Sequence, residues 1–332
     1  MRKYLYLMTC MLLALLAACD VHEWPEMPEY ARLHLRLDYE TEMTEWLHLY
    51  EGDSVIDQGF GETYENHCAY GKIRHIVRTY PVSEEKRALR DYTQEFVITR
   101  DIVDGYDHEV TLDLLPGNYN IRVWTDLVAS DGDDHYYDAS DFTEITLQGS
   151  HQGNTDHRDA FHGKGGIALY ASNIYQHADT LDITMRRPLA KFEIVANDLS
   201  DFIKSMDDDV DNCKVVIQYV GFMPDAYNLL TNKPVDATTG IMFESALKEL
   251  DATEASMGFD YVFVGDNGSL VTIKIGVYDG DGKLIAITNQ IEVPIKPSYH
   301  TILTGGFLMQ NASGGVNLNP DFDGNFNILM PY

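Results

Sequence analysis

The fold is decided by the stretch Arg32-Leu33-His34-Leu35-Arg36-Leu37-Asp38-Tyr39. Its apolar residues fall on odd positions and its polar or charged residues on even positions, which is the pattern of a β-strand with one buried face. Patterns that favour long helices are absent. Further strands are predicted at 110–114, 119–123, 142–147, 181–185, 192–195, 214–221, 261–264, 270–278, 284–293 and 301–309. The sequence therefore predicts an all-β chain rather than an α/β enzyme core.

Turns and one short helix interrupt the predicted strands. Leu115-Pro116-Gly117-Asn118 has proline and glycine at the centre of a turn, so strands 110–114 and 119–123 are predicted to form a β-hairpin. Asp279-Gly280-Asp281-Gly282 is predicted to be a second hairpin turn. Asp198 has the position of a helix cap, and the apolar residues after it have helical spacing over about two turns.

The first residues of the chain have the form of a secretion signal. Met1-Arg2-Lys3 supplies positive charge, residues 4–16 are apolar, and Leu16-Ala17-Ala18-Cys19 closes the segment. Leu-Ala-Ala-Cys has the form of a bacterial lipobox, so we expect cleavage before Cys19 and lipid attachment to its thiol. The apolar run is shorter than the roughly 20 residues that span a bilayer. The alternative is an ordinary signal peptide that is cleaved near Ala18, with Cys19 incidental.

Composition excludes nucleic acid as a partner. The 24 basic residues less Arg2 and Lys3 leave 22 against 53 acidic residues, a formal charge of −31 after cleavage. Binding to a phosphate backbone needs a clustered basic surface, and the sequence has no run of more than two Lys or Arg. The acidity favours a solvated surface that anionic lipid headgroups repel.

The length of the chain predicts two domains. We place the boundary near Pro188, because proline interrupts a hydrogen-bonded ladder and a new strand follows it directly. The predicted parts are a signal peptide over 1–18, a tether over 19–30, an N-terminal β-sandwich over 31–186 and a C-terminal β-sandwich over 187–332.

Only two cysteines are available for a disulfide. Cys10 leaves with the signal and Cys19 carries the lipid, so Cys68 and Cys213 remain. A bridge between domains is possible in an oxidising periplasm. We expect two buried free thiols instead, since free cysteine is among the most buried residue types.

Catalytic and metal-binding patterns are weak. The sequence has no nucleophile elbow, phosphate loop or His-Glu-x-x-His helix, so we expect a protein that is not an enzyme and has no cofactor. His151, His157 and His162 lie with Asp156 and Asp159 in one segment, but their spacing fits no zinc pattern, so a solvated loop is the preferred interpretation. The acidic runs 131–134, 207–211 and 279–281 are likewise interpreted as loops or turns rather than calcium sites. No metal is expected to be needed for the fold.

Several segments of the chain resemble segments of one protein family, and they occur in the same order. Met185-Arg186-Arg187-Pro188-Leu189-Ala190-Lys191-Phe192-Glu193-Ile194 is similar to the inter-domain strand of fimbrillin-like lipoproteins of the Bacteroidales. Other segments resemble the same family and span both predicted domains: Leu115-Pro116-Gly117-Asn118-Tyr119 with Trp124, Gly221-Phe222-Met223-Pro224 with Tyr227-Asn228, residues 258–263 and Asp321-Phe322-Asp323-Gly324. The likeness is nearest to the anchor and accessory subunits of type V pili.

The resemblance implies a fold, a location and a mode of assembly. Each subunit of that family is two transthyretin-like Greek-key sandwiches, secreted as a lipoprotein to the outer membrane. Subunits join by donor-strand exchange, in which a partner's strand completes a sheet and fills its apolar pockets. In shaft subunits an Arg-directed protease removes the first strand, whereas anchor subunits keep it. The implied partners are other fimbrial subunits, with the outer membrane reached through the lipid on Cys19.

Two other functions compete with an anchor or accessory subunit of a fimbria involved in cell adhesion. A glycan-binding surface lipoprotein would also be lipidated, acidic and all-β, and its mark would be exposed aromatic residues, for which Tyr136-Tyr137 is the candidate. A cell-surface enzyme ranks third.

Arg32 and Arg36 flank or interrupt the first strand, so protease cleavage there is an open alternative.

Overall fold

The computed structural model describes residues 30–82, 92–102, 106, 108–128, 136–170, 179–206 and 210–310. The predicted signal peptide, Cys19 and the tether up to residue 29 lie outside the described residues. The same holds for the acidic runs 131–134 and 207–209 and for the closing segment 321–324. None of the helices in the described part of the chain is long and apolar enough to span a membrane.

Strands make up most of the described residues, so the all-β prediction is confirmed. The strands are β1 (Ala31–Tyr39), β2 (Glu42–Glu51), β3 (Ser54–Glu65), β4 (Lys72–Pro81), β5 (Gln94–Asp101), β6 (His108–Leu114), β7 (Gly117–Val128), β8 (Tyr137–Asp138), β9 (Ile145–Leu147), β10 (Ala160–Leu169), β11 (Asp179–Met185), β12 (Leu189–Ala196), β13 (Lys214–Tyr219), β14 (Phe222–Asn228), β15 (Lys233–Thr239), β16 (Met242–Ala246), β17 (Lys248–Glu249), β18 (Ala255–Phe263), β19 (Ser269–Tyr278), β20 (Leu284–Ile287), β21 (Ile291–Ile295) and β22 (Tyr299–Gly305). One α-helix, α1 (Leu199–Ser205), and two short 3₁₀ turns, Asp156–Arg158 and Val210–Asn212, accompany them.

The first sandwich packs a three-stranded sheet against a four-stranded sheet. The smaller sheet has the order β11-β1-β6, and the larger has the order β10-β7-β4-β5. Apolar side chains from both sheets form one buried cluster, to which β1 contributes every odd residue from Ala31 to Tyr39. The alternation of residues 32–39 therefore has the predicted cause, one face in the core and one in solvent.

The predicted hairpin at Pro116 is wrong. β6 pairs with β1, whereas β7 pairs with β4 and β10 in the facing sheet. The turn carries the chain across the sandwich, so that Leu114 and Tyr119 enter the same core from opposite sheets. The Tyr119 hydroxyl closes this turn by donating to the Leu115 carbonyl at 2.9 Å. Proline and glycine specify a reversal of the chain, but not whether the flanking strands pair with each other.

The second sandwich packs a six-stranded sheet against a five-stranded sheet. The six-stranded sheet has the order β17-β18-β12-β22-β2-β3, and the other has the order β16-β13-β19-β20, with β21 also paired to β19. The largest buried apolar cluster lies between them. The predicted strand 284–293 is two strands, because the Thr288 hydroxyl accepts from the Ile275 backbone N–H at 3.0 Å and interrupts the ladder between β20 and β21.

Some strands pair across the predicted domain boundary. β2 and β3 belong to the N-terminal part of the chain, yet β2 pairs in parallel with β22 in the second sandwich. β8 and β9 likewise join β14 and β15 in a separate four-stranded sheet. A third apolar cluster with Trp124, Tyr137 and Phe263 packs strands from both halves together. The division at 186/187 stays a prediction, but strand pairing crosses it twice.

The predicted short helix is present, and Asp198 occupies its N-cap position as predicted. α1 begins at Leu199 and buries Leu199 and Phe202, while the Asp198 side chain makes no capping hydrogen bond. Its carboxylate accepts instead from the backbone N–H groups of Leu308 and Met309. Asp198 therefore holds the chain after β22 rather than the start of the helix. The predicted turn at Asp279 is confirmed, because β19 and β20 pair across it.

Candidate functional site

The position of β1 is the first element of the candidate site. β1 lies in the middle of its sheet, parallel to β11 from Leu33↔Asp179 to Tyr39↔Met185 and antiparallel to β6 from Ala31↔Leu114 to Leu37↔His108. It is also the first of the described strands, and it follows the predicted tether directly. β1 therefore has hydrogen-bonded strands on both of its edges, and the apolar groove that it fills lies between β6 and β11.

The inward row of β1 supplies most of the energy that holds it. Leu33, Leu35 and Leu37 are at most 2% exposed, and burying a leucine side chain contributes about 1.5–3 kcal/mol. Opposite them lie apolar residues of the facing sheet, including Val77 and Ile121. Withdrawal of β1 would open a groove between β6 and β11 whose floor is apolar. Only a strand with similar alternation could replace it without a large loss of stability.

The outward row of β1 is held by weak contacts. Arg32 Nε lies 3.1 Å from Asp113 Oδ1, with both side chains more than half exposed. His34 Nδ1 lies 2.8 Å from Glu109 Oε1, and Arg36 Nη1 lies 3.9 Å from Asp182 Oδ1. Exposed ion pairs of this kind contribute about 0–1 kcal/mol each. The outward face therefore contributes little to the stability of β1.

Tyr39 ends β1 with a buried hydrogen-bond cluster. Its hydroxyl lies 3.0 Å from His75 Nδ1 and 2.9 Å from Thr125 Oγ1. Burial lowers the pKa of His75 to about 3, so this imidazole is neutral at physiological pH. The cluster is therefore a set of neutral hydrogen bonds.

Arg187 holds the chain directly after β1. Its Nη1 donates to the carbonyl oxygens of Glu40 and Glu42, at 3.0 and 3.1 Å, and its Nη2 donates to that of Asn66. Its Nε donates to both carboxylate oxygens of Asp159, at 2.9 and 3.0 Å, and both side chains are fully buried. Burial raises the pKa of Asp159 although Arg187 opposes the shift. β1 could therefore separate from its sheet only up to Glu40, because Arg187 holds the chain from that residue onward.

The segment 151–162 was predicted to be a solvated loop, and that interpretation is wrong. Arg158 pairs with Asp260, both fully buried, and His151 Nε2 lies 2.6 Å from the same carboxylate. The Tyr219 hydroxyl also donates to Asp260, at 2.6 Å. Burial would raise the pKa of Asp260, but Arg158 and His151 outweigh it and hold that pKa below its usual range. The polar composition reflects a buried ion-pair network.

Lys191 is another charged residue of the motif that carries the family resemblance, and it also has a structural role. Its Nζ donates to Asp156 Oδ1 at 2.9 Å and lies 4.3 Å from the centre of the Phe259 ring. The Tyr261 hydroxyl donates to the same Asp156 oxygen at 2.7 Å. Arg187 and Lys191 therefore both fasten the segment 156–159 to the strands that follow it.

Most of the other candidate site residues are buried. Cys68 and Cys213 are buried and form no disulfide with each other, as expected. Tyr137 is fully buried and its hydroxyl donates to the Arg158 carbonyl at 2.6 Å, so the Tyr136-Tyr137 pair is not an exposed aromatic surface. His162 lies in β10, and burial lowers its pKa to about 4. Within the described ranges no group of three or more His, Cys, Asp or Glu side chains could hold a metal ion.

Sequence reasoning missed a group of aromatic residues on β2, β3 and β22. Trp46 and Phe60 face each other across β2 and β3, with ring centroids 6.2 Å apart, and Tyr299 packs against both. One signal could have found this hairpin. Gly52-Asp53 is a two-residue turn in which both φ angles are positive, +55° and +66°, as a hairpin turn of type I′ requires.

Comparison with known proteins places the chain in a family and finds distant structural likenesses. A model described as a family of unknown function, DUF6562, matches residues 29–331. No curated protein matches the chain. The fimbrial anchor protein Mfa2 from Porphyromonas gingivalis is 10% identical, with 78% of this chain and 82% of that one covered and a TM-score of 0.40.

Two further solved structures have similar scores. A candidate adhesin from Bacteroides ovatus is 10% identical, covers 78% of this chain and 76% of its own, and has a TM-score of 0.42. A candidate polysaccharide-binding protein from Bacteroides thetaiotaomicron is 13% identical, with 78% and 80% covered and a TM-score of 0.42. At these identities and TM-scores, the likeness assigns no function to this chain.

Proposed function

The chain belongs to the DUF6562 family of unknown function, and we propose that it is a surface lipoprotein that serves as an anchor or accessory subunit of a fimbria. In this proposal the protein is not an enzyme and contributes to cell adhesion. It joins neighbouring subunits by strand exchange at the position of β1. The observation that carries the proposal is that β1, the first of the described strands, lies between β6 and β11 and fills an apolar groove there.

The physics of strand addition supports this assignment. A donated strand would pair with β6 and β11 along its backbone, and its alternate side chains would replace Leu33, Leu35 and Leu37 in the core. Arg187 would keep the chain from Glu40 onward in place during the exchange. The second sandwich and its β2–β3 hairpin would then remain folded while the first strand changes partner.

The pairing of β1 with its neighbours also protects Arg32 and Arg36 from proteolysis. The side chains of Arg32 and Arg36 are 59% and 62% exposed, but their backbones are paired with strands on both sides. A protease needs an unpaired, extended stretch of chain, so cleavage there requires β1 to open first. This protection supports an anchor role, in which no protease removes the first strand and exchange displaces it while it stays part of the chain.

The lipid would restrict where exchange happens. In the proposal Cys19 carries the acyl chains in the outer membrane, and residues 20–30 connect it to β1. Eleven residues span at most about 40 Å when fully extended. The first sandwich would therefore remain close to the membrane surface, as an anchor requires.

We expect replacement of Cys19 by alanine to release the protein from membranes. Two or three acyl chains give lasting attachment, whereas the acidic chain itself has no attraction to anionic lipid. Mass spectrometry of the mature N-terminus should show an acylated cysteine in the unmutated protein, and membrane fractionation should follow the Cys19→Ala protein into the soluble fraction. An unmodified N-terminus at any other residue would refute the lipid anchor.

The subunit role is tested on cells. Filaments sheared from the surface are purified, denatured and probed for this chain, with a membrane lipoprotein outside the filament as a contamination control. The proposal predicts that the chain is present in the filament fraction and remains there in mild detergent. Its absence from sheared filaments would refute the fimbrial assignment.

A further inference from the structure

The second sandwich has an open cleft on the side of the β2–β3 hairpin. The cleft is about 680 Å³ and lies between this hairpin and strands β19 and β21 of the facing sheet. Residues from both sheets line it, including Trp46, His48, Asp57, Leu270 and Glu292. β2 and β3 are the last two strands on this side of the six-stranded sheet.

An aromatic surface adjoins the cleft. The ring centroids of Trp46 and Phe60 are 6.2 Å apart at an interplanar angle of 28°, and the Tyr299 ring lies 5.7 Å from that of Phe60. Phe60 is 64% exposed, and Leu270 on the opposite wall is 56% exposed. A stacked aromatic ring that faces solvent costs free energy in the unbound protein, and it offers a flat apolar face to a ligand.

His48 gives the cleft an unsatisfied polar group. This side chain is 5% exposed, and neither of its ring nitrogens has a hydrogen-bond partner among the described residues. Its ring packs edge-on against Trp46, with centroids 4.8 Å apart. Burial lowers the pKa of His48 although Asp57 opposes the shift, so the ring is neutral, with one donor and one acceptor. A buried polar atom without a partner is costly, and a ligand hydroxyl would remove that cost.

The charges of the cleft select against anions. Asp53, Asp57 and Glu292 line it, and the chain as a whole has a formal net charge of −29. Asp57 Oδ1 accepts from the Trp46 indole N–H at 3.3 Å and from the Gly59 backbone N–H at 2.8 Å. That carboxylate therefore fixes the orientation of Trp46 and adds negative potential to the cleft.

We propose that this cleft binds a neutral polysaccharide. The apolar faces of sugar rings stack on Phe60, Trp46 and Tyr299, while sugar hydroxyls bond to His48 and to the carboxylate of Glu292. Carbohydrate recognition combines these two kinds of contact, because a sugar ring has an apolar C–H face and a polar edge. Acidic polysaccharides are excluded by the carboxylates of the cleft. This inference does not depend on the fimbrial proposal, since binding is measured on the isolated protein and assembly is measured on cells.

The test is native affinity electrophoresis of the detergent-solubilised full chain. Gels contain yeast mannan, amylopectin, guar galactomannan or arabinoxylan as neutral probes, and polygalacturonate as the acidic probe. We expect at least one neutral polysaccharide to slow migration and polygalacturonate to leave it unchanged. Phe60→Ala should weaken the binding of the retained polysaccharide by about tenfold, since it removes an exposed stacking surface.

Phe222→Ala is the matched control, because Phe222 is 75% exposed on β14, which belongs to a different sheet from the strands that flank the cleft. It should bind as the unmutated protein does. Both substitutions are at exposed positions, and circular dichroism checks that each variant is folded. Three results would each overturn the proposal: no neutral polysaccharide is retained, polygalacturonate is retained equally, or Phe60→Ala binds with unchanged affinity.

Discussion

Replacement of Arg187 by methionine is expected to lower the free energy of unfolding by about 3–5 kcal/mol. The substitution removes the hydrogen bonds from this guanidinium to the carbonyls of Glu40, Glu42 and Asn66. It also leaves the fully buried Asp159 carboxylate without its arginine partner. Removing one member of a buried ion pair is far more costly than the net contribution of the pair, because the remaining charge is not solvated.

The neighbouring arginine is the control. Arg186 is 68% exposed and lies 3.3 Å from Glu40, so Arg186→Met should change the free energy of unfolding by less than about 1 kcal/mol. Urea unfolding of both variants, followed by circular dichroism, measures the difference. Equal effects at 186 and 187 would mean that the buried network does not hold the segment after β1.

The second large effect is expected at the centre of β1. Leu35→Asp should lower the free energy of unfolding by about 4 kcal/mol or more, since it removes a fully buried leucine and places a carboxylate in the core. His34→Asp, one residue away on the outward row, meets the exposed Glu109 and the Thr111 hydroxyl and should cost about 1 kcal/mol or less. The two variants differ by one position and introduce the same side chain.

Assembly should follow the same pattern. We expect detergent-stable oligomers in cells that carry His34→Asp and none in cells that carry Leu35→Asp, with the fold of each free subunit checked by circular dichroism. Oligomers in both variants would show that the inward row of β1 has no part in assembly. Folded protein without oligomers in the unmutated form, together with polysaccharide binding, would favour the glycan-binding alternative over the fimbrial one.

The parts of the fold that depend on local sequence could be predicted. The alternation in β1 predicts its buried and exposed rows, because successive side chains of a strand point to opposite faces and the apolar ones lie on the buried face. The Pro116-Gly117 turn shows the limit of this reasoning, since it sets a reversal but leaves the partner of each strand open. Pairing of β2 with β22 joins residues more than two hundred positions apart, and no periodicity carries that information.

The candidate site was predicted only in part, for a related reason. The first strand and the Arg187–Lys191 motif were identified, but the composition of 151–162 suggested a solvated loop. Its charges are buried because their partners lie elsewhere in the chain: Asp260 for Arg158, and Arg187 for Asp159. A buried ion and a solvated one look alike in a sequence when the partner is distant. The Trp46–Phe60 pair was missed because the hairpin around Gly52-Asp53 was not predicted.

A disulfide between β1 and β6 tests the central claim most directly. His34 and Thr111 lie directly opposite each other, and Thr111 Oγ1 is 3.1 Å from His34 Nδ1, so cysteines at both positions would fix β1 in its sheet. Thr44 and Thr63, whose hydroxyl oxygens are 2.9 Å apart on β2 and β3, provide a control disulfide away from β1.

We expect the protein with the His34→Cys and Thr111→Cys substitutions to fold and to reach the membrane. Under oxidising conditions it should be absent from sheared filaments, and it should enter them after mild reduction. The Thr44→Cys and Thr63→Cys protein should enter filaments under both conditions. If the chain with its first strand fixed to β6 enters detergent-stable filaments as readily as the control, strand exchange at β1 is not how this protein assembles.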